Sequence, residues 1–186
     1  MHPCFFGYGS LVNRTTHSYD AASRATLTGW RRKWVHTTAR GLAFLSVVED
    51  TATKIDGLVA EVPHGDWAAL DAREHGYARI SSAGAVSHGR DPDSLISHYA
   101  VPRETWTPSG EHHILLSYLD VVVQGYLREF GARGVTDFFD TTDGWDTSVL
   151  DDRAAPRYPR AKMLSQQETQ LVDQHLALRS ARIIPA

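Results

Sequence analysis

The chain has 186 residues, of which 42% are hydrophobic and 22% charged, with a formal net charge of -3. A single domain over residues 1–186 is expected, since this length buries roughly 70% of the unfolded chain's surface. The weakly acidic balance argues against phosphate-backbone binding, so no nucleic-acid partner is expected. With Cys4 as the single cysteine, an internal disulfide and a thiolate zinc site are excluded. The sequence has neither an export signal nor a membrane-spanning run, which predicts a cytoplasmic protein without a membrane partner.

The first half of the chain is predicted to be rich in strands, because short apolar runs alternate there with turn residues. The predicted strands cover residues 4–8, 25–37, 42–48, 55–62, 77–86 and 95–101. A short helix is predicted at residues 66–76, where Asp66 would cap the start and Gly76 would follow the end.

The second half is predicted to be helical. Apolar residues recur at helical spacing from about residue 111 to residue 130, namely Leu115, Leu119, Val122, Val123 and Tyr126. Ser165 and Glu168 form a capping-box pattern for a last helix that reaches about residue 179. Residues 151–160, with Pro156 and Pro159, are predicted to be an ordered or mobile loop. The region from about residue 131 would be a helical C-terminal extension.

The most informative motif is a glycine-rich turn directly after the first predicted strand. Gly7 and Gly9 can adopt positive φ, so the amides of residues 8–11 are able to converge on an anion such as a carboxylate. A plain connection between a strand and a helix is the alternative interpretation. Neither a dinucleotide fingerprint, a phosphate loop nor a nucleophile elbow is completed here, which disfavours nucleotide folds and serine hydrolases.

Glu74 is the carboxylate that stands out, because it lies at the end of a predicted helix, where the macrodipole disfavours a negative charge. A solvated helix end formed with Arg73 and His75 is the alternative. Cys4 lies in an apolar strand without a basic neighbour and is predicted to pack in the core. The sequence does not decide whether the Tyr118 side chain faces a site or the core.

A metal site is not predicted, although the chain has ten histidines. No pair of them follows the His-x-x-x-His spacing, and His112 and His113 would point about 100° apart as neighbours on a helix. Activity is therefore expected to survive a chelator.

Two motifs together carry a family resemblance. Phe6-Gly7-Tyr8-Gly9-Ser10-Leu11 is followed some sixty residues later by Leu70-Asp71-x-Arg73-Glu74-x-Gly76-Tyr77. In this order and spacing the chain resembles the γ-glutamylcyclotransferase superfamily, and within it the ChaC-like and AIG2-like members, over roughly residues 4–130. The stretches Leu27-Thr28-Gly29-Trp30-Arg31-Arg32 and Asp56-Gly57-Leu58-Val59-Ala60 agree with it.

The resemblance implies an α+β fold: a mixed β-barrel of about six strands, a short glutamate-bearing helix and C-terminal helices. It implies an enzyme that converts a γ-glutamyl amine, dipeptide or peptide to 5-oxoproline and a free amine, without a cofactor and without a metal. Glu74 would be the general acid/base. The substrate-binding residues would be Tyr8, Gly9, Ser10, Leu11 and Tyr118.

Two other functions stay open on the same fold: a non-catalytic binder of small carboxylates, and an enzyme acting on another γ-glutamyl-tagged metabolite. The expected partner is in each case a small molecule, and the protein is expected to be a monomer or a homodimer.

Overall fold

The structure is a computed structural model that describes residues 2–19, 21–38, 41–82, 84–90, 93–108 and 112–186. The strands are β1 Pro3–Gly7, β2 Ser23–His36, β3 Ala43–Glu61, β4 Ala78–Ser81, β5 Val86–His88, β6 Leu95–Ala100, β7 Ile114–Leu115, β8 Thr142–Asp143, β9 Val149–Asp151 and β10 Ile183–Pro185. The helices are α1 Ala68–Arg73, α2 Leu116–Asp140 and α3 Gln166–Leu178. The fold is therefore mixed α+β, as predicted.

The larger sheet is an open sheet with the strand order β4-β6-β1-β3-β2-β5, and β8 adds to β2. β1 pairs antiparallel with β3 and parallel with β6, so the N-terminal strand lies in the middle of the sheet. A second sheet of three parallel strands has the order β10-β9-β7.

The predicted closed or nearly closed barrel of about six strands is wrong, since the described residues contain ten strands and no closed sheet. The reason lies in the segment that was predicted as one strand over residues 77–86. A turn divides it, in which the Ala85 amide bonds the Ser82 carbonyl at 2.9 Å and Gly84 has φ +75. β4 before the turn pairs with β6, and β5 after it pairs with β2, so the two sheet edges stay separate. Residue 83 lies outside the described residues.

β3 combines two strands that were predicted separately. It pairs with β2 from His36 opposite Ala43 to Ser23 opposite Val59. The middle of this hairpin, around residues 49–54, is largely exposed and therefore lacks an apolar pattern. It remains a strand because β2 supplies its hydrogen-bonding partners.

Two hydrophobic clusters lie on opposite faces of β1. Its alternation places Cys4 and Phe6 in the larger cluster, with the apolar side of α2. Phe5 lies in the smaller cluster with Leu70 of α1. Cys4 is fully buried, in agreement with its predicted role in the core.

The long helix begins later than predicted, at Leu116, and continues to Asp140 with a break at Gly131, where φ is +70. His112 and His113 therefore precede the helix instead of lying on it, and Glu111, the predicted start, lies outside the described residues. The region after Gly131, predicted as helical, also contains β8, β9 and β10. No helix in the described part of the chain is long and apolar enough to cross a membrane.

The predicted capping box of the last helix is confirmed. The Ser165 side chain accepts from the Glu168 amide at 3.2 Å, and the Glu168 carboxylate accepts from the Ser165 amide at 2.7 Å. These two bonds satisfy amides that the first turn of a helix leaves unpaired.

His98 of β6 gives the fold a predicted dependence on pH. Its ring is fully buried, with Nδ1 2.8 Å from the Ser82 hydroxyl and the edge of Trp30 against it. No hydrogen-bond partner for its Nε2 is found among the described residues. Desolvation lowers the pKa of His98 to about 4, so the folded state resists protonation.

The contribution of His98 to the free energy of unfolding should therefore be fully present above the ordinary histidine pKa of about 6.5. It should decrease as the pH drops from there toward 4. At pH 4 the protonation of His98 in the unfolded state should lower the free energy of unfolding by about 3 kcal/mol. His98→Asn keeps an acceptor for Ser82 and removes the titration. Denaturant unfolding at pH 7 and pH 4.5 should show a smaller loss for the variant, and equal losses would contradict this prediction.

Candidate active site

A cavity of about 340 Å³ lies between the start of α2, strand β3 and the end of α1. A recess of about 30 Å³ adjoins it and shares Ser10, Leu45, Glu74, Tyr77 and Tyr118 with it. All the site residues named from the sequence line one or both of these spaces: Tyr8, Gly9, Ser10, Leu11, Glu74 and Tyr118. The tertiary structure thus brings together three segments that are far apart in sequence.

Glu74 reaches the cavity because α1 ends at that residue. The Asp66 side chain accepts from the amide of Ala68, the first residue of α1, at 2.9 Å, although the N-cap position itself is Trp67 and not the predicted Asp66. Leu70 holds the helix on the sheet. After Glu74 the chain reverses through Gly76, whose φ of +96 favours glycine. Glu74 itself has φ -90 and ψ 31, and its side chain is only 18% exposed.

Arg73 holds the Glu74 carboxylate. Its Nε lies 3.2 Å from Glu74 Oε1, while its two Nη atoms donate to the Thr16 carbonyl and hydroxyl at 3.0 and 3.1 Å. Burial raises the pKa of Glu74 above its ordinary value, and the positive charges of Arg73 and Arg160 oppose that rise. A carboxyl group in such surroundings is a stronger base than an exposed one.

The turn at residues 7–11 does not use the positive φ expected for its glycines. Gly9 has φ -121, and Gly7 is not among the residues with positive φ. What the turn requires is the absence of a side chain: a Cβ on Gly7 would lie 2.5 Å from Leu11 Cβ, and one on Gly9 would lie 2.8 Å from Tyr118 Oη. The glycines therefore permit close packing of the turn against itself and against Tyr118.

The Tyr8 carbonyl of the turn faces inward. The Tyr8 carbonyl accepts from Arg32 Nε at 3.2 Å and from the Tyr126 hydroxyl at 2.9 Å. In a trans peptide the next amide points the opposite way, so the Gly9 amide points away from this buried cluster. The amides of Gly9 and Leu11 donate to no acceptor within the described ranges. Both residues line the recess at the turn.

Asn13 fixes the turn on α2. Its Nδ2 donates to the Val121 carbonyl and to Gln124 Oε1, both at 3.0 Å, and its Oδ1 accepts from the Thr15 amide at 3.1 Å. A Cβ on Gly125 would lie 2.7 Å from the Asn13 amide nitrogen, so the glycine allows this close approach.

Tyr118 lies on the first turn of α2 and faces the site, which answers the question that the sequence left open. Its ring packs edge-on against Trp34 and Tyr158. Burial raises the pKa of Tyr118 well above its ordinary value, and the negative charge of Glu74 adds to that rise while the Ser10 amide opposes it. The hydroxyl therefore remains a hydrogen-bond donor at neutral pH.

The remaining wall is the loop between β9 and α3, whose function the sequence did not indicate. It contributes Arg157, Tyr158, Pro159 and Arg160 to the cavity. Tyr77, Phe44 and Leu45 are further lining residues that were not predicted. Tyr77 is the last residue of the motif that contains Glu74, but no local pattern marks the two arginines as site residues.

Metal ligands are not gathered at this site or elsewhere in the part of the chain that the structure describes, where no cluster of three or more His, Cys, Asp or Glu residues is found. His36 and His112 stack with their ring centroids 5.5 Å apart, away from Glu74. Chelator-resistant activity stays a prediction.

A family model described as ChaC-like protein matches residues 4–102, which is more than half of the chain. The chain belongs to the ChaC-like family. This confirms the resemblance to the γ-glutamylcyclotransferase superfamily that the two motifs predicted. In this ChaC-like chain the family match includes the glycine turn and Glu74, whereas Tyr118 and the loop with Arg157 and Arg160 lie beyond it.

Solved structures share the fold of this ChaC-like protein. A γ-glutamyl cyclotransferase is 12% identical over 92% of this chain and 98% of its own, with a TM-score of 0.57. A human protein described as uncharacterized is 14% identical over 91% and 97%, with a TM-score of 0.54. YkqA from Bacillus subtilis is 16% identical over 77% of this chain and 56% of its own, with a TM-score of 0.56. No curated protein sequence matches the chain.

Proposed function

We propose that this protein is a γ-glutamylcyclotransferase with Glu74 as its general acid/base. The α-amino nitrogen of a γ-glutamyl compound attacks its own γ-carbonyl carbon, the γ-amide C–N bond breaks, and the products are 5-oxoproline and a free amine. The observation that carries the proposal is the position of Glu74, a largely buried carboxylate that lies between the main cavity and the recess at the glycine turn.

The reaction moves protons from the substrate α-ammonium group to the departing nitrogen, so it needs one group that can both accept and donate a proton. Glu74 takes a proton from the substrate α-ammonium, which frees the nitrogen lone pair for attack. It then gives that proton to the departing nitrogen. The ring nitrogen loses a second proton as it becomes the lactam N–H, and Glu74 passes this proton to the released amine, so the reaction consumes neither water nor a cofactor. Burial supports this role because it raises the pKa of Glu74, while Arg73 keeps the carboxylate oriented.

The glycine turn would hold the other end of the substrate. The amides of Gly9 and Leu11 are the donors proposed for the substrate α-carboxylate. Binding there would fold the glutamyl chain back on itself, so that ring closure loses little further entropy. Tyr118, which remains protonated, would donate to the oxygen of the γ-carbonyl as negative charge develops on it.

The experiment that tests the function is an assay of 5-oxoproline by mass spectrometry after incubation with γ-glutamyl-alanine, γ-glutamyl-ethylamide and glutathione. At least one of them should give 5-oxoproline and free amine in equal amounts. α-Glutamyl-alanine is the matched control, because it has the same atoms but no γ-amide, and it should give none. The reaction should continue in EDTA.

Absence of 5-oxoproline from every γ-glutamyl compound would exclude the proposed reaction. If calorimetry then detected binding of the same compounds, the protein would be a carboxylate binder on this fold. Loss of activity in EDTA that is restored by zinc would contradict the metal-free mechanism.

A further inference from the structure

Two arginines in the cavity wall have no carboxylate partner. Arg157 and Arg160 both line the main cavity. Among the described residues, neither guanidinium group lies within 4.0 Å of an acidic side chain or makes a side-chain hydrogen bond. Most other arginines of the same structure do have such partners: Arg14, Arg24, Arg31, Arg73, Arg79, Arg90, Arg128, Arg133, Arg153 and Arg179.

The backbone that carries the two arginines is firmly anchored. The Asp152 carboxylate, which is 1% exposed, accepts from the Ser117 amide at 2.8 Å and from the Arg157 amide at 2.8 Å. The Ser117 hydroxyl also accepts from the Tyr158 amide at 3.3 Å. Asp152 thus caps the start of α2 and at the same time holds the loop against it. The arginines are presented to the cavity by a buried carboxylate.

A second anchor follows at Arg153. Its guanidinium makes two bonds of 2.8 Å to the Asp120 carboxylate on α2 and one of 2.8 Å to Asp173 on α3. The loop is therefore held at its base on both helices. Of the two predictions for residues 151–160, an ordered loop or a mobile one, these contacts support the ordered loop.

Arg157 and Arg160 are the positive charges of the site that remain available for a second anion. Arg73 already pairs with Glu74, and the amides of the glycine turn are assigned above to the substrate α-carboxylate. Arg160 and Glu74 line the same cavity, and the positive charge of Arg160 opposes the rise that burial causes in the pKa of Glu74. Guanidinium groups bind carboxylates through charge-assisted hydrogen bonds, and the planar fork of arginine fits the two carboxylate oxygens.

We propose that Arg157 and Arg160 form a subsite for a carboxylate on the leaving group. The substrate class is then a γ-glutamyl amino acid or short peptide, whose released amine carries a free carboxylate, and simple γ-glutamylamines are poor substrates. This inference rests on the proposed cyclotransferase function. The subsite lies in a part of the chain outside the family match.

The test compares γ-glutamyl-alanine with γ-glutamyl-ethylamide, which is the same molecule without the leaving-group carboxylate. The wild-type protein should have a roughly 10- to 100-fold higher kcat/KM for the alanine compound, the usual contribution of a charged hydrogen bond. In Arg160→Gln this ratio should fall about tenfold or more, and in Arg157→Gln with Arg160→Gln it should approach one. The ratio cancels any effect of Arg160 on the pKa of Glu74, since both substrates use the same base.

Lys162→Gln is the matched control, because it removes one positive charge from the same loop at an exposed position outside the cavity lining. Its ratio should equal that of the wild type. Equal losses for both substrates in Arg160→Gln would leave the ratio at its wild-type value and would overturn the inference. A wild-type ratio near one would also overturn it, while leaving 5-oxoproline formation intact.

A binding measurement separates the subsite from the reaction itself. Calorimetric titration of Glu74→Gln with the two compounds should show tighter binding of γ-glutamyl-alanine, and the preference should disappear when Arg157→Gln and Arg160→Gln are added. If the wild type forms no 5-oxoproline but the preference is present, the proposed reaction fails and the carboxylate subsite stands. If the preference is absent, the subsite fails.

Discussion

Glu74→Gln is expected to lower the turnover of a γ-glutamyl substrate roughly 10²- to 10⁴-fold, the usual contribution of a positioned base. The glutamine side chain has the same shape but cannot take the proton of the α-ammonium group. Affinity for the substrate should change little, because the turn and the cavity wall remain. The loss should therefore appear in kcat, measured as the rate at which the saturated protein releases 5-oxoproline, with a Kd from calorimetry close to that of the wild type.

Glu104→Gln is the control for the loss of a carboxylate. Glu104 is exposed on a short 3-10 turn, Arg103–Thr105, and does not line the cavity, so its variant should keep wild-type turnover. Near wild-type release of 5-oxoproline by Glu74→Gln would remove the proposed mechanism.

The same residue sets the expected pH dependence. As a base Glu74 must be ionised, so kcat/KM should be at its maximum above the pKa of Glu74 and should fall as the pH drops through that pKa. Burial raises this pKa, and therefore the decrease should begin at a higher pH than for an exposed glutamate at about 4.3. A pH-rate profile measured down to pH 4 shows the acid limb. Glu74→Gln should lack that limb in its residual activity.

Gly9→Val is expected to abolish binding of a γ-glutamyl ligand while the protein still folds. A Cβ at this position would lie 2.8 Å from Tyr118 Oη and 3.4 Å from Leu45 Cδ2, so the branched side chain must push Tyr118 aside and occupy the recess. The loss should exceed the roughly tenfold effect of one hydrogen bond, because the donors and Tyr118 are displaced together. Calorimetry measures the binding and thermal unfolding measures the cost to the fold.

Gly89→Val is the matched control for the same substitution. Gly89 has no positive φ, and no atom of the described chain lies within 4 Å of a Cβ built there. This variant should bind like the wild type. Binding of a γ-glutamyl ligand by Gly9→Val with wild-type affinity would mean that the turn is not the carboxylate site.

Local patterns predicted the elements whose signals are contained in a few neighbouring residues. The capping box at Ser165 and Glu168 satisfies helix amides with side chains three residues apart, so it is visible without tertiary information. The same holds for the end of α1, where Gly76 supplies a positive φ. Cys4 could be assigned to the core because an apolar strand in the centre of a sheet is buried on both faces.

Patterns failed where hydrogen-bond partners outside the segment decide the structure. The polar middle of β3 has no strand signal and is a strand because β2 lies beside it. Residues 77–86 have the composition of one strand, yet each half pairs with a different edge of the sheet, and for this reason the predicted barrel does not close.

The sequence by itself determined the family and singled out the glycine turn and Glu74, because each of the two motifs is contained in a few neighbouring residues. Only the tertiary structure decided how these groups meet and what else surrounds them. Arg160 lies more than eighty residues from Glu74 in sequence, and it reaches the cavity because Asp152, buried at the start of α2, holds its loop there. A contact of this kind depends on the packing of distant segments, which leaves no periodic signal along the chain.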